Sequence, residues 1–258
     1  MSVGISLVRH GISPYHELVT PDFVFNPKDP DFILTPCYLD LTEEGVAECA
    51  EAAGQLSHVL WQGVPIRLGS SPAYRARSTL LVIDACLQRQ THNGWKIVEH
   101  PKRESIFPDL RNIPLRSGIN PAIWMAEHAR WKRHPPNAER SRLHPHYVHS
   151  FVTQEAFGHS VDEIFAETHR DVDRRVRKTL KALLSPQTQD HQWVIVVHEE
   201  SVGILIEEVL GMTTGFQNGQ ILQLEYVGTE DLKLTLHPKA GVESSILESR
   251  TIPRSVLG

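Results

Sequence analysis

Three short apolar runs in this chain each stop at a polar cluster: "LV" before Arg9-His10-Gly11, "LG" before "SSPAYRA" at 70–76, and "VV" before His198-Glu199-Glu200. Branched apolar residues crowded into a stretch too short for a helix, and closed at once by polar residues or a glycine, read as buried strands. Between them lie longer segments with helical periodicity. Strands that alternate with helices need a layer of helices on each face of the sheet. The fold expected is therefore α/β: a three-layer α/β/α sandwich with a mostly parallel central sheet.

The pass along the chain fills in that frame. Residues 3–8, 65–71, 95–100 and "QWVIVVHEE" are expected as strands, and "GQILQLEY" and "LKLTLHP" as two closing strands joined by "VGTED". "DLTEEGVAECAEAAGQLSHVL" is expected as an amphipathic helix opened by Thr42, with Val46, Cys49, Ala50, Ala53, Leu56 and Val59 at helical spacing. "PAYRARSTLLVIDACLQ" is expected as a helix with Pro72 in its first turn, "SVDEIFAETHRDVDRRVRKTLKALL" as one long helix with an acidic start and basic end, and "SVGILIEEVLGM" as another. Residues 105–150 have few periodic apolar positions and several proline breaks, which marks a lid-like excursion from the core. Trp124 and Trp131 within it suit either lining a substrate cavity or packing the lid onto the core. With 258 residues, 40 % of them hydrophobic, residues 1–258 are expected to form one elaborated domain.

Composition excludes several roles. A net charge of -5 supplies no global basic field, so neither nucleic acid nor an anionic membrane surface is expected as the partner, and any anion site must be local. Cys37, Cys49 and Cys86 are odd in number, widely spaced and lack a Cys-x-x-Cys pair, which argues against a disulfide framework or structural zinc. The N-terminus lacks a basic and apolar leader, and no stretch is long enough to span a bilayer, so a cytoplasmic protein is expected. His128, His134, His144, His146 and His149 cluster in the excursion, yet the intervening prolines favour a solvated loop, and no metal site is assigned.

Strand carboxyl ends in an open α/β sheet face one crevice, so Arg9, His10, Arg75 and His198 are expected to converge. Two guanidinium groups match phosphoryl oxygens, and backbone N–H groups after Gly11 and Ser71 point at the same place. A neutral imidazole there is a competent nucleophile toward phosphorus. Ser70 and Ser71 lack a Gly-x-Ser-x-Gly elbow and read as capping residues rather than nucleophiles.

In chain order, "LVRHG", "DLTEEGVAECA", "SSPAYRARST", "FGHSVDEIF" and "VIVVHEES" resemble the histidine phosphatase superfamily, the fold shared by cofactor-dependent phosphoglycerate mutases and many small-molecule phosphatases. The resemblance implies His10 as the phosphate-accepting nucleophile, with Arg9, Arg75 and His198 as phosphate ligands. "RHGISPYH" is further similar to fungal and plant members that carry a second histidine, which puts His16 at the pocket rim.

The proton donor is left open between two branches. In the mutase-like branch the match is Glu104, in "HPKRESIF"; a second alignment sets Asn112 there, and an amide cannot donate and retake a proton. In the acid-phosphatase and phytase branch the donor follows the second histidine, which points to Glu199 or Glu200; the other glutamate then faces the helix dipole. The activity implied is metal-independent hydrolysis of a small phosphate monoester through a phosphohistidine, with no cofactor. Mutase activity is disfavoured by the loop after Gly11. The alternatives are acid–base chemistry by Glu199 and Glu200 on a non-phosphorylated metabolite, or a catalytically reduced binder of phosphate ligands. The partner expected is a small anionic phosphorylated metabolite, and a homodimer is compatible with the pattern.

Overall fold

Every residue of the strand Gln192–Val197 (β4) is buried, and this strand sits inside the sheet. The computed structural model describes residues 4–13, 41–90, 96–99, 106–111, 124, 152–185, 190–212, 215–228, 230–240 and 247–257. Their strands are β1 (Gly4–Arg9), β2 (Ile66–Ser70), β3 (Ile97–Glu99), β4, β5 (Ile221–Val227), β6 (Asp231–Leu236) and β7 (Glu248–Pro253), in the spatial order β3-β2-β4-β1-β5-β6-β7. The β3, β2, β4 and β1 strands are parallel, and β5, β6 and β7 continue the sheet antiparallel from β1.

Period-two alternation sends each strand's side chains to two cores. Ile5, Leu7, Trp193, Ile195, Val197, Leu222 and Leu224 pack on one face, beneath the helices His169–Leu183 (α4) and Glu199–Leu210 (α5). Val8, Ile66, Leu68, Val194, Val196 and Ile221 pack on the other, beneath Glu43–Val59 (α1) and Tyr74–Arg89 (α2). The chain is thus a three-layer α/β/α sandwich.

Thr42 caps α1, its hydroxyl accepting from the Gly45 N–H at 2.9 Å, with Glu43 and Glu44 in the first turn. The buried stripe of α1 is Gly45, Glu48, Cys49, Ala52, Ala53 and Leu56, so Val46 and Ala50, read as part of the apolar face, are exposed instead. The reason is close approach: a Cβ at Gly45 would lie 2.0 Å from the Ile12 carbonyl oxygen, so the helix turns its smallest residues toward the loop after β1.

Three other expectations are corrected. The α2 helix begins at Tyr74 with Ala73 as its N-cap, leaving Pro72 before the helix rather than in its first turn. The single helix expected over 160–184 is broken into Val161–Ile164 (α3) and α4, because Thr168 and Asp171 form a capping box that starts a new helix. The edge strand β7 went unread, since its residues are mostly exposed or half-buried and carry no apolar run. Of the excursion, Trp124 is buried against Phe165 and Phe157, with ring centroids 4.9 Å and 5.7 Å away, which is the packing role. Trp131 and the histidine cluster lie outside the described residues. Among the described residues, no helix is long and apolar enough to cross a membrane.

Candidate active site

The carboxyl ends of β1, β2 and β4 meet in register. Arg9 is opposite Val197 and Ser70 opposite Val196, so His10, Ser71 and His198 emerge side by side. Backbone bonds extend the ladder past the strands: the His10 N–H donates to the Val197 carbonyl at 3.1 Å, and the Ser71 N–H to the Val196 carbonyl at 2.9 Å. The His10 and His198 rings meet edge to face, with centroids 5.0 Å apart.

Arg75, in the first turn of α2, reaches across both rings. Its Nε donates to His10 Nε2 at 3.0 Å, and its Nη2 lies 3.4 Å from His198 Nδ1. A guanidinium only donates, so both of those ring nitrogens are acceptors, and the tautomers follow. His10 carries its proton on Nδ1, which donates to the Gly11 carbonyl at 2.8 Å. His198 carries its proton on Nε2, which donates to Ser71 Oγ at 2.5 Å. The His10 ring is therefore fixed at both nitrogens, its Nε2 lone pair accepting from Arg75, and that lone pair is exposed for attack once an anion draws the Arg75 N–H onto its own oxygens. The pKa of His198 is held well below the ordinary 6.5, first by burial and then by the charges of Arg75, Arg9 and Arg175.

The backbone of His10 is fixed by elements far away in sequence. Asn218 Nδ2 donates to the His10 carbonyl at 2.6 Å, and Arg9 exchanges backbone bonds with Gly219 and Gln220. The Gly11 N–H donates to Thr79 Oγ1 at 3.1 Å, and Thr79 donates to the Arg75 carbonyl at 2.8 Å. The Ile12 N–H is taken by the buried Glu48 carboxylate at 3.0 Å, which is itself paired with Lys239. Gly11 is required here, because a Cβ would lie 2.5 Å from the Gly45 carbonyl oxygen and 2.7 Å from Cys49 Sγ.

Of the residues singled out from sequence, His10, Gly11, Ser71, Arg75 and His198 form this cluster. Ser71 Oγ accepts from His198 at 2.5 Å and from the Ala73 N–H at 3.4 Å, which ties the second histidine to the N-cap residue of α2; Ala73 itself makes no side-chain cap bond. Arg9 and Glu199 form a buried ion pair at 3.0 Å, and Arg9 Nη1 also donates to the Phe216 carbonyl. Glu200, in the first turn of α5, is half-buried and bonds to none of these groups. His16 and Glu104 lie outside the described residues. Sequence reasoning passed over Asn218, Glu48, Thr79 and Arg175. Only Thr79 carried a usable signal, one helical turn after Arg75 and so on the same face.

No protein-family model and no curated protein sequence matches the chain. Solved structures do. An Entamoeba histolytica phosphoserine phosphatase carrying a histidine-to-alanine substitution, in complex with phosphoserine, is 15 % identical over 93 % of this chain and 98 % of that one, with a TM-score of 0.52. Mycobacterial glucosyl-3-phosphoglycerate phosphatase with VO3 is 17 % identical over 93 % and 100 %, with a TM-score of 0.50. The likeness is one of fold: the chain has the α/β/α fold of the histidine phosphatases, as the order of its motifs implied.

Proposed function

We propose that the protein is a phosphatase that hydrolyses a small-molecule phosphate monoester through a phosphohistidine at His10. The observation that carries this reading is the His10 ring, anchored through Nδ1–H to Gly11 with its Nε2 lone pair turned toward the Arg75 guanidinium. Nε2 attacks phosphorus as the ester P–O bond breaks, and a carboxylic acid protonates the leaving oxygen. Water then attacks phosphorus, the P–N bond breaks, the carboxylate takes the water's proton, and His10 returns to its starting tautomer. Arg75 and Arg9 supply the positive charge that the equatorial oxygens need, so the reaction requires no metal in this reading. The two phosphatases sharing the fold are named for small phosphate monoesters, which supports the substrate class.

We assign the proton donor to Glu104. Glu199 is engaged by Arg9, and Glu200 makes no contact with the cluster. Glu104 stands two residues before Ile106, whose backbone bridges to Ser70 at the end of β2. A panel of alkyl phosphates run on the full chain tests the reading. Wild type is expected to turn over at least one ester, His10→Ala none, and Glu104→Gln about 10²- to 10⁴-fold more slowly. Activity retained in His10→Ala but lost in Glu200→Gln would transfer the reading to acid–base chemistry on a different substrate.

A further inference from the structure

We infer that Glu199 is a positioning residue that aims Arg9 at the phosphoryl group; this inference rests on the phosphatase reading. Arg9 leaves β1 beside His10, and its side chain is 12 % exposed, against 8 % for Glu199. The Nη1 corner of the guanidinium is held twice, by Glu199 Oε2 and by the Phe216 carbonyl. The Nε–H, on the opposite edge, is buried and meets no acceptor among the described residues. Nε–H and Nη2 together form the two-donor edge that matches two oxygens of one phosphoryl group. A buried N–H that the protein itself does not satisfy is costly, and an arriving anion recovers that cost. Clamping Nη1 therefore decides which edge of Arg9 is left for substrate.

Glu199 is itself clamped. A Cβ at residue 215 would lie 2.1 Å from Glu199 Oε1, so the carboxylate fills the space that only a glycine leaves. Gly215 and Phe216 thus hold the pair from one side, Gly215 by leaving room for the acid and Phe216 by accepting from the base. Glu199 lies in the first turn of α5, immediately after His198, so one backbone segment places the second histidine and the residue that orients the first arginine. An oxygen accepting from a guanidinium is not the group that delivers a proton to a leaving oxygen.

The experiment measures binding of inorganic phosphate by calorimetry, and turnover of p-nitrophenyl phosphate and an alkyl phosphate, for wild type, Glu199→Gln, Glu199→Ala and Gly215→Ala. The Gln carbonyl still accepts from Nη1, so Glu199→Gln is expected to keep phosphate affinity and both activities within about threefold of wild type. Glu199→Ala and Gly215→Ala release the guanidinium and are expected to bind phosphate at least about tenfold more weakly. Both esters should then slow by the same factor, because the loss is in oxyanion contacts and not in protonation. If phosphate binds all four proteins equally, the positioning role is overturned. It is also overturned if Glu199→Gln loses the alkyl phosphate alone, since the nitrophenolate leaves without a proton and that pattern belongs to a general acid. Absence of phosphate binding and of turnover in wild type would instead remove the phosphatase reading and the inference with it.

Discussion

His10 and His198 are the same residue type at adjacent strand ends, yet their neighbours set them in opposite tautomers. Arg75 donates to both rings, so each must carry its proton on the other nitrogen, His10 toward Gly11 and His198 toward Ser71. His198 resists protonation, first because it is buried and then because a charged ring would place a second cation against Arg75. Below the unfolded-state value of 6.5 the unfolded chain binds a proton that the folded chain refuses, so stability is lost as pH falls through that value toward the much lower folded one. Above 6.5 the residue contributes no slope. Urea unfolding is expected to show a loss approaching about 1.4 kcal/mol per pH unit from this residue across that window. His237, also shifted down by burial, adds to it in the same direction. His198→Asn, which can still donate to Ser71 and accept from Arg75, should reduce the slope; an unchanged slope would show that His198 does not carry it. The residue scale also shows why the roles of the two adjacent glutamates were not legible in sequence. Glu199 and Glu200 are indistinguishable as letters, and only Arg9 and Gly215 in space separate them.

At the scale of elements, the loop after β1 is held by the packing of α1. Its Gly11 and Ile12 touch Gly45 and Glu48, so the orientation of His10 depends on how closely helix and loop approach. Gly11→Ala places a methyl group inside contact distance of backbone that cannot yield, and is expected to cost about 1–3 kcal/mol of stability. Thermal or urea denaturation checks this; a variant as stable as wild type would mean that the approach is looser than described. Helices with an open cap and a regular stripe could be read from the chain, as α1 and α5 were. The break between α3 and α4 was missed because Val161 and Ile164 continue the apolar pattern of α4 across it, while Thr168 and Asp171 mark the true start. Cys49, Ala53 and Leu56 of the α1 stripe were read correctly, while Val46 and Ala50 were included because apolar character was taken as the guide. Close approach to Ile12 selects small residues instead, and that constraint exists only once the loop and helix are brought together.

Across the whole molecule, the sheet divides the labour. Its parallel half brings β1, β2 and β4 to one end, where Arg9, His10, Ser71 and His198 meet, as open parallel sheets do. Its antiparallel half begins with β5, and the turn just before β5 supplies Asn218 to the backbone of His10 and Gly219 to that of Arg9. Convergence of the strand ends was visible in the sequence because each apolar run stopped at its polar cluster. The bracing from 215–220 was not, since an Asn-Gly turn looks the same whether it faces solvent or the end of β1. In the proposed reaction His10 Nε2 forms a covalent bond to phosphorus. Brief incubation of the protein with a radiolabelled phosphate monoester, followed by a denaturing quench, measures it directly. Acid-labile label is expected on His10, lost in His10→Ala and accumulating when Glu104→Gln slows its hydrolysis. Turnover of the ester by wild type with no label on His10, and at an equal rate in His10→Ala, would contradict that reaction.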